Sequence, residues 1–450
     1  MRIFIFVLSI TLFFSSCNNL QENKPTQSFM FSGEALSDAV LYEVNIRQFT
    51  EEGTFKAFQE FLPKLKELGV DILWFMPIHP IGETNRKGTL GSYYSIRDYR
   101  GVNPEFGTLE DFKELVAVAH DLEMFVMLDW VAGHTAWDHP WITAHPDWYI
   151  KDDSGNIIPP NPDWSDVAGL NFDNADMLQA LEDDMAYWVA EVGIDGYRCD
   201  AAYNISIPFW KKAIARLNAI KPVVMLAESD GNHKGGYPLI ELFHMSYDWP
   251  GHHRLNQVAQ GKMKATDLED HLIEVQKNYN PKHAVMSFTS NHDENSWNGT
   301  VAERMGDATE LMTVLTYVMP GVPLIYSGQE YGLDKRLAFF EKDFIPKTAS
   351  SFIALYTTLN KLKKSTTALD VGDHPAAISV LSHDNENVLA FSRTKENDTL
   401  FFVGNCSVTQ QTVQLNVAGS YTDVFGNEKL MLSEVTLAPW EYILATNETF

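Results

Sequence analysis

Cysteine and basic residues are scarce in this sequence, and each shortage excludes a class of protein. Three cysteines among 450 residues cannot form the disulfide framework of a small secreted scaffold. Thirty-four Lys and Arg against 60 Asp and Glu leave a formal net charge of −26. That charge excludes a nucleic-acid binder that neutralises phosphates, and it disfavours an anionic substrate. Internal repeats of about 20–50 residues are also absent, which excludes a solenoid.

Apolar and aromatic residues, by contrast, are plentiful. Hydrophobic residues make up 45% of the chain and aromatic residues 12%, so the chain can bury a core and is not disordered. At about 100–200 residues per domain, the length fits two or three domains, or one large barrel with a small partner. An acidic and aromatic-rich composition is compatible with sugar binding.

The only long hydrophobic run lies at the N-terminus. Residues 3–14 form an apolar run of 12 behind Arg2, too short for a membrane-spanning helix of about 20 residues but typical of a signal peptide. The run ends in Phe14-Ser15-Ser16-Cys17, which resembles a bacterial lipobox, although Phe14 replaces the usual Leu or Val. We predict a signal peptide over 1–16, a lipidated Cys17, a tether over 17–35 and an extracytoplasmic, lipid-anchored protein. An ordinary secretory signal with an incidental Cys17 is the alternative.

Short apolar runs alternate with amphipathic stretches from residue 40 onward. Eight such runs are nearly continuously apolar, as parallel strands buried on both faces should be. They are 41–49, 71–78, 124–131, 193–201, 223–229, 242–249, 284–291 and 322–328. Eight strand–helix units predict a closed (β/α)8 TIM barrel over 36–367, and a doubly wound open sheet is the structural alternative.

Two segments depart from the strand–helix alternation. Residues 134–173 have no helical period and contain four Trp and five Pro, so we predict a short irregular insertion after strand 3. Such an insertion in a compact domain is usually functional. Residues 368–450 contain alternating runs broken by turn residues, which predicts a C-terminal antiparallel β-sandwich. We expect Cys199 and Cys406, which lie in different predicted domains, to be free and buried.

Ionisable residues gather where the predicted strands end, which is where active sites of such barrels lie. Asp129 and His134 follow strand 3, Arg198 and Asp200 lie on strand 4, Glu228 ends strand 5, and His292 and Asp293 end strand 7. Unpaired acids destabilise a barrel core, because burying their charge costs free energy. A single one of these carboxylates could be a structural salt bridge or a helix cap. Three on one rim favour a functional site.

Converging carboxylates allow two chemistries. They could bind a hard metal cation, or they could hydrolyse a glycoside with one acid and one nucleophilic carboxylate. Arg198 shares a strand face with Asp200, so we expect it to lower the pKa of Asp200 and to suit that residue to be the nucleophile. Apolar neighbours of Glu228 predict a raised pKa, as a general acid requires.

Several blocks around these residues, in order along the chain, resemble the α-amylase family of retaining glycoside hydrolases. The similarity extends from about residue 40 to the C-terminus. The blocks are LWFMPIHP (73–80), GSYYSIRDYRGVNPEFGT (91–108), LDWVAGH (128–134), AGLNFDN (168–174), GYRCDA (196–201), LAES (226–229), FTSNHD (288–293) and GVPLIYSGQE (321–330). Each block is weak alone, and their shared order is what makes the resemblance strong.

The resemblance implies a role for each residue. Asp200 would be the nucleophile, Glu228 the general acid and base, and Asp293 would hold the 2- and 3-hydroxyls of the sugar. The other predicted substrate-binding residues are Arg198, which would position Asp200; His134 and His292, which would hydrogen-bond the sugar; Tyr93, or less favoured Tyr94, which would stack on it; and Asp129, which would brace the rim. The two carboxyls that break and form bonds should lie about 5–5.5 Å apart, as in retaining enzymes.

Two departures from the family pattern affect cofactors and specificity. Gly133 stands where many members have a calcium-binding Asn, so we predict no required cofactor and no metal site. Ala202-Tyr203-Asn204 replaces the usual Lys-His pair beyond the cleaved bond. The resemblance implies retaining endo-hydrolysis of α-1,4-glucosidic bonds in starch-like glucans or maltooligosaccharides.

Other functions remain open on the same fold. They are a neopullulanase or cyclomaltodextrinase, an α-glucosidase or transglycosylase, and, remotely, a non-catalytic glucan-binding protein. A carboxylate metalloenzyme is a further class, which a chelator would inactivate. We expect a glucan or maltooligosaccharide partner, no nucleic acid, and membrane contact only through the N-terminal lipid. The sequence leaves the oligomeric state open.

Overall fold

The computed structural model describes residues 29–447 and contains a closed barrel of eight parallel strands. All eight predicted strands are present and parallel, so the barrel prediction is confirmed. The barrel strands are β1 (Leu41–Val44), β2 (Ile72–Phe75), β3 (Phe125–Trp130), β6 (Gly196–Cys199), β7 (Val224–Ala227), β8 (Met245–Tyr247), β9 (Ala284–Ser287) and β10 (Val322–Tyr326). Around the barrel these strands follow the order β1-β10-β9-β8-β7-β6-β3-β2. Two further strands, β4 (His134–Ala136) and β5 (Val167–Gly169), pair in the insertion after β3.

Alternate residues of each barrel strand face opposite sides, which places the core and the site. Leu41, Met127 and Leu226 point into the barrel and form one buried cluster. The residues between them face the surrounding helices and belong to a second cluster. Polar side chains such as Glu43 and Asp129 continue the inward-facing series toward the carboxyl ends of the strands. The sequence therefore places its chemistry directly above an apolar barrel interior.

Helices surround the barrel and connect its strands. They are α1 (Ile46–Phe49), α2 (Phe55–Gln59), α3 (Leu62–Leu68), α4 (Leu109–Asp121), α5 (Pro140–Ala144), α6 (Ala175–Tyr187), α7 (Ile207–Ile220), α8 (Gly236–Ile240), α9 (Trp249–Ala259), α10 (Ala265–Asn278), α11 (Val301–Met305), α12 (Thr309–Val318) and α13 (Ser351–Ser365). A capping box begins α4, since Thr108 and Asp111 each accept a hydrogen bond from the other's backbone. Residues 54–69 form two helices, α2 and α3, and Pro63 lies in the first turn of α3, where its missing N–H costs no helical hydrogen bond.

The first described residues pack under the barrel. Phe31 is buried and contacts the rings of Phe125 and His244 at the amino-terminal ends of the strands. Leu36, in a short 3₁₀ helix, joins the same cluster. The predicted tether over 17–35 is therefore wrong for residues 29–35, because apolar burial holds them to the barrel. The predicted signal peptide and Cys17 lie outside the described residues.

The C-terminal part is antiparallel, as predicted. A six-stranded sheet in the order β11-β12-β13-β18-β15-β16 faces a two-stranded sheet of β14 and β17 across one buried apolar cluster. Its strands are β11 (Ala377–Val380), β12 (Val388–Lys395), β13 (Asp398–Asn405), β14 (Gln411–Gln414), β15 (Tyr421–Asp423), β16 (Lys429–Leu430), β17 (Glu434–Leu437) and β18 (Tyr442–Thr446). Cys199 and Cys406 are free and buried, as expected. Between residues 29 and 447, none of the helices combines the length and the hydropathy that a bilayer span requires.

Candidate active site

A cavity of about 560 Å³ opens at the carboxyl ends of the barrel strands. Its lining brings together the three predicted catalytic carboxylates, Asp200, Glu228 and Asp293, with His134 and His292. These residues come from four different strand-to-loop connections. The barrel closure, not nearness in sequence, is what assembles them.

Arg198 is the centre of the charge network. The parallel pairing of β3 with β6 sets Asp129 beside Arg198, and Arg198 Nη1 lies 2.8 Å from Asp129 Oδ1. The same guanidinium lies 3.0 Å from Asp200 Oδ1 and 2.9 Å from Glu228 Oε2. Both Arg198 and Asp129 are fully buried. One fixed, desolvated cation therefore orients two carboxylates that face the cavity.

The backbone after the nucleophile candidate also contacts Glu228. Ala201 adopts the left-handed conformation with φ of 41°, which is uncommon for a residue with a Cβ. In this conformation the Ala201 N–H donates a hydrogen bond of 2.7 Å to Glu228 Oε2. The turn thus links the strand that bears Asp200 to the carboxyl group of Glu228.

The pKa values of the two carboxyls agree with one expectation and contradict another. Burial raises the pKa of Glu228 to about 7, although Arg198 acts in the opposite direction, and this matches the predicted acid. Burial also raises the pKa of Asp200 to about 6, and Arg198 only partly offsets it. Arg198 does act to lower the pKa of Asp200, as expected, but burial outweighs it, so the expected net decrease is not found.

His292 is held by a second buried acid, Glu43. His292 Nδ1 lies 2.5 Å from Glu43 Oε1, and His292 Nε2 lies 2.7 Å from the Tyr94 hydroxyl. Burial lowers the pKa of His292, but Asp293 and Glu43 outweigh it and raise that pKa to about 9. A protonated His292 donates to both neighbours, and Tyr94 can then donate to Asp129, 3.0 Å away. The ring therefore presents a fixed positive charge beside Asp293.

Tyr94, rather than Tyr93, faces the cavity. The Tyr94 ring stacks on His292 with the centroids 5.3 Å apart, and it lines the cavity wall. Tyr93 is buried behind that wall, where its ring lies under the Arg47 guanidinium and its hydroxyl donates to Asn45. The preference for Tyr93 as the stacking residue is therefore corrected, since the backbone turns Tyr93 toward the core.

His134 lies at the cavity on β4, where Nε2 is 3.1 Å from the backbone oxygen of Tyr94. Burial lowers the pKa of His134 to about 4, so its ring is neutral at physiological pH. The uncharged His134 ring can therefore form a hydrogen bond with a bound sugar but contributes no positive charge to the cavity. Asp129 contacts Arg198, Tyr94 and Trp74 and has no exposed surface, which agrees with the bracing role that the resemblance implied.

Several cavity residues were not predicted. Glu43 lies within an apolar strand, and its acidic side chain was the one available clue. Trp164 and Trp297 both line the cavity and are about half exposed, at 40% and 52% of the residue surface. Phe339 lies against Trp297 with ring centroids 5.1 Å apart. The Trp-rich composition of the insertion pointed to Trp164, whereas no pattern distinguished Trp297 or Phe339.

The residues near Gly133 do not fit the family's calcium ion. Gly133 has no side-chain oxygen, and a Cβ placed on it would meet no atom within 4 Å. Among residues 29–447, no group of three or more His, Cys, Asp or Glu side chains is arranged to hold a metal ion. We therefore derive no catalytic step through a metal.

A closed parallel barrel with a carboxylate-lined cavity at its rim is an architecture that glycoside hydrolases use. The family model for the α-amylase catalytic domain matches residues 26–167 and 241–357, and that for the maltogenic amylase C-terminal domain matches residues 378–444. The chain belongs to the α-amylase family.

Named relatives and solved structures agree with this assignment. The α-amylase MalA of Haloarcula japonica is 27% identical over 87% of this chain and 58% of its own length. The probable oligo-1,6-glucosidase 3 of Bacillus subtilis is 25% identical over 66% and 65%. The chain thus spans less than two thirds of these curated relatives. An α-amylase structure from Lactobacillus plantarum is 30% identical, with a TM-score of 0.82 over 92% of this chain and all of that one.

Proposed function

We propose that this protein hydrolyses α-1,4-glucosidic bonds in starch-like glucans or maltooligosaccharides with retention of configuration. One observation carries the proposal: a single buried guanidinium, Arg198, contacts both Asp200 and Glu228 at the cavity. A double displacement needs one carboxylate to attack and another carboxyl group to donate a proton close by. The two groups fit these tasks because their pKa values are about 6 and about 7.

In the first step, Asp200 Oδ attacks the anomeric carbon of the bound sugar. The glycosidic carbon–oxygen bond breaks as Glu228 gives its proton to the departing oxygen, and a covalent glycosyl ester forms on Asp200. Glu228 is protonated below its raised pKa and can therefore act as the acid. Asp200 is ionised above its own pKa of about 6, so both groups hold their reactive forms between these values.

In the second step, Glu228 removes a proton from a water molecule that attacks the same anomeric carbon. The ester bond to Asp200 breaks, and the product leaves with its original α configuration. Inversion occurs twice, which gives net retention. Asp293, whose side chain is 39% exposed, and protonated His292 line the cavity beside Asp200. They are placed to hydrogen-bond the hydroxyls of the sugar while its ring flattens in the transition state.

The acceptor and the bond type are the open parts of this proposal. The neopullulanase, α-glucosidase and transglycosylase alternatives share the chemistry up to the glycosyl ester. Relatives bear the names oligo-1,6-glucosidase and α-1,4-glucan:maltose-1-phosphate maltosyltransferase. A non-catalytic binding protein would have no need of Asp200, Glu228 and Asp293, which are all present. Whether attack occurs within a chain depends on the space beyond the sugar being cleaved.

The test is a product profile. The chain without residues 1–16 would be incubated with soluble starch, pullulan, cyclodextrins and maltotriose, beside the Glu228→Gln variant. Release of α-configured maltooligosaccharides from starch, slowed about 1,000-fold in the variant, is the expected result. Panose from pullulan or opened cyclodextrins would move the assignment to the neopullulanase group. Binding of starch without cleavage of any glucan would contradict hydrolysis.

We also propose that the protein is anchored outside the cytoplasm by a lipid on Cys17. The support is the apolar run of residues 3–14 followed by Ser15-Ser16-Cys17. The full chain carries a net charge of −26, which disfavours binding of its folded part to anionic lipids. Metabolic labelling with palmitate would test the anchor: label and membrane association should both be lost in Cys17→Ala. Unlabelled, membrane-free wild-type protein would contradict it.

A further inference from the structure

The position of the general acid shows which end of the cavity holds the leaving part of the glucan and which end holds the retained part. Glu228 protonates the departing oxygen, so the leaving part of the glucan lies beyond Glu228, where Tyr203 also lines the cavity. The retained part, the glycone, must extend the other way. Glu228 follows β7, and the barrel order places the gap between β1 and β2 opposite β7 and β8. The glycone end of the cavity therefore lies at the loop that follows β2.

A segment of that loop, residues 82–91, lies across this end; we call it the bridging loop. On one side it is fixed to the insertion. Lys87 lines the cavity, and its Nζ lies 3.0 Å from Asp166 Oδ1 and donates a hydrogen bond of 2.9 Å to the backbone oxygen of Asp163. Asp166 is itself buried. Because the ammonium contacts two groups of the insertion, it joins two separate walls of the cavity.

On its other side the bridging loop is fixed to the connection after β10. The Leu90 N–H donates a 3.0 Å hydrogen bond to the Phe340 carbonyl, and the Thr89 N–H donates one of 2.9 Å to Glu341 Oε1. Gly88 has φ of 64°, and a Cβ on it would lie 2.5 Å from Phe340 Cβ. Only glycine permits so close an approach. The two loops are thus in direct contact beside Phe340, which also lines the cavity.

The bridging loop is also braced from within. Arg86 donates hydrogen bonds to the carbonyls of Gly82, Ile81 and Thr89. Fully buried Arg47 donates to the carbonyls of Gly91 and Leu90 from below. Two arginines therefore hold the backbone of a loop that has no regular secondary structure. A loop held in this way resists displacement by a bound glucan chain.

We propose that the bridging loop closes the glycone end of the cavity, so that the enzyme accepts the non-reducing end of an α-glucan and cleaves at a short, fixed distance from it. The proposal rests on the hydrolytic function proposed above and deepens it. A continuous chain cannot pass between Lys87 and Phe340, because their loops are joined to one another. The end of the glucan lies against them, and the products released from that end are uniform and short. This replaces the predicted endo mode of attack.

The first experiment uses a chain with a blocked end. Maltoheptaose with a free non-reducing end is compared with maltoheptaose whose terminal 4- and 6-hydroxyls carry an ethylidene group, both labelled at the reducing end. The unmodified protein should cleave the free substrate and release one short oligosaccharide, and should cleave the blocked substrate about 100-fold more slowly. Similar rates on both substrates, with products of mixed length, would overturn the proposal. Cleavage of neither would contradict the hydrolytic function and this inference with it.

The second experiment opens the closed end. Lys87→Ala removes the attachment to the insertion, Glu341→Ala removes a side-chain attachment to the β10 connection, and a third variant replaces residues 84–89 by two glycines. Each should raise the rate on the blocked substrate relative to the free one and broaden the product lengths, most strongly in the shortened loop. Lys113→Ala is the matched control, since Lys113 pairs with Glu110 on the surface of α4, outside the cavity lining. A correctly folded shortened variant with an unchanged rate ratio would overturn the proposal.

Discussion

Glu43 Oε1 and His292 Nδ1 lie 2.5 Å apart in the barrel interior, although 249 residues separate them in the chain. Glu43 is fully buried and His292 nearly so. Strand β1 brings the carboxylate to the rim, and the loop after β9 brings the ring. The pair fixes both the orientation and the charge of a histidine that lines the cavity. Its importance can be tested because glutamine matches glutamate in shape but carries no charge.

Glu43→Gln should lower kcat about tenfold, which corresponds to about 1.4 kcal/mol of transition-state stabilisation. The substitution removes an anion that raises the pKa of His292, so that pKa should fall below its value of about 9. Steady-state kinetics on maltooligosaccharides would measure kcat, and an NMR titration of the His292 ring would measure its pKa. A drop in kcat with an unchanged His292 pKa would indicate a merely structural role for Glu43.

The pH dependence of kcat/KM should be a narrow bell. Activity should rise as Asp200 loses its proton near pH 6 and fall as Glu228 loses its proton near pH 7. The two carboxyls share Arg198, so the measured values belong to the pair. Glu228→Gln, assayed with an α-maltosyl fluoride whose leaving group needs no acid, should retain glycosylation without the alkaline limb. Retention of that limb in the variant would assign it to another group.

The adjacent tyrosines should behave differently. Tyr94→Ala removes the ring that stacks on His292 and lines the cavity, and should lower kcat/KM about 100-fold through lost positioning. Tyr93→Phe removes only the buried hydrogen bond to Asn45 and should cost about 1 kcal/mol of folding stability with little change in kcat/KM. Kinetics and thermal unfolding of both variants measure the contrast. Equal losses of activity would disprove the distinction.

Chelation should leave the enzyme active. Gly133 supplies no side-chain ligand, and the described residues contain no cluster suited to a metal ion. Activity and Tm should therefore be unchanged after dialysis against EDTA. An inactivated protein that recovers on addition of calcium would show that backbone or other oxygen atoms form a site of a different kind.

The barrel was predictable because its strands are buried on both faces, so each appears as an apolar run such as 223–229. The convergence of Asp200, Glu228 and Asp293 on one cavity was predictable because each follows such a run. Contacts between residues that are far apart in the sequence were not predictable, since nothing in the run LYEV indicates that Glu43 contacts His292. The orientation of Tyr94 depends on the backbone of an irregular loop, which lacks the helical or strand periodicity that predicts side-chain orientation. The pKa of Asp200 was predicted in the wrong direction because sequence shows Arg198 nearby but not how completely the pair is buried.

The packing of Phe31 beneath the barrel separates the start of the described chain from the cavity. Phe31 lies at the amino-terminal ends of the strands, and the cavity opens at their carboxyl ends. Any group attached upstream of residue 29, such as the lipid proposed for Cys17, therefore joins the barrel at the end opposite its cavity. An attachment at that end leaves the approach of dissolved polysaccharide to the cavity unobstructed by the first described residues.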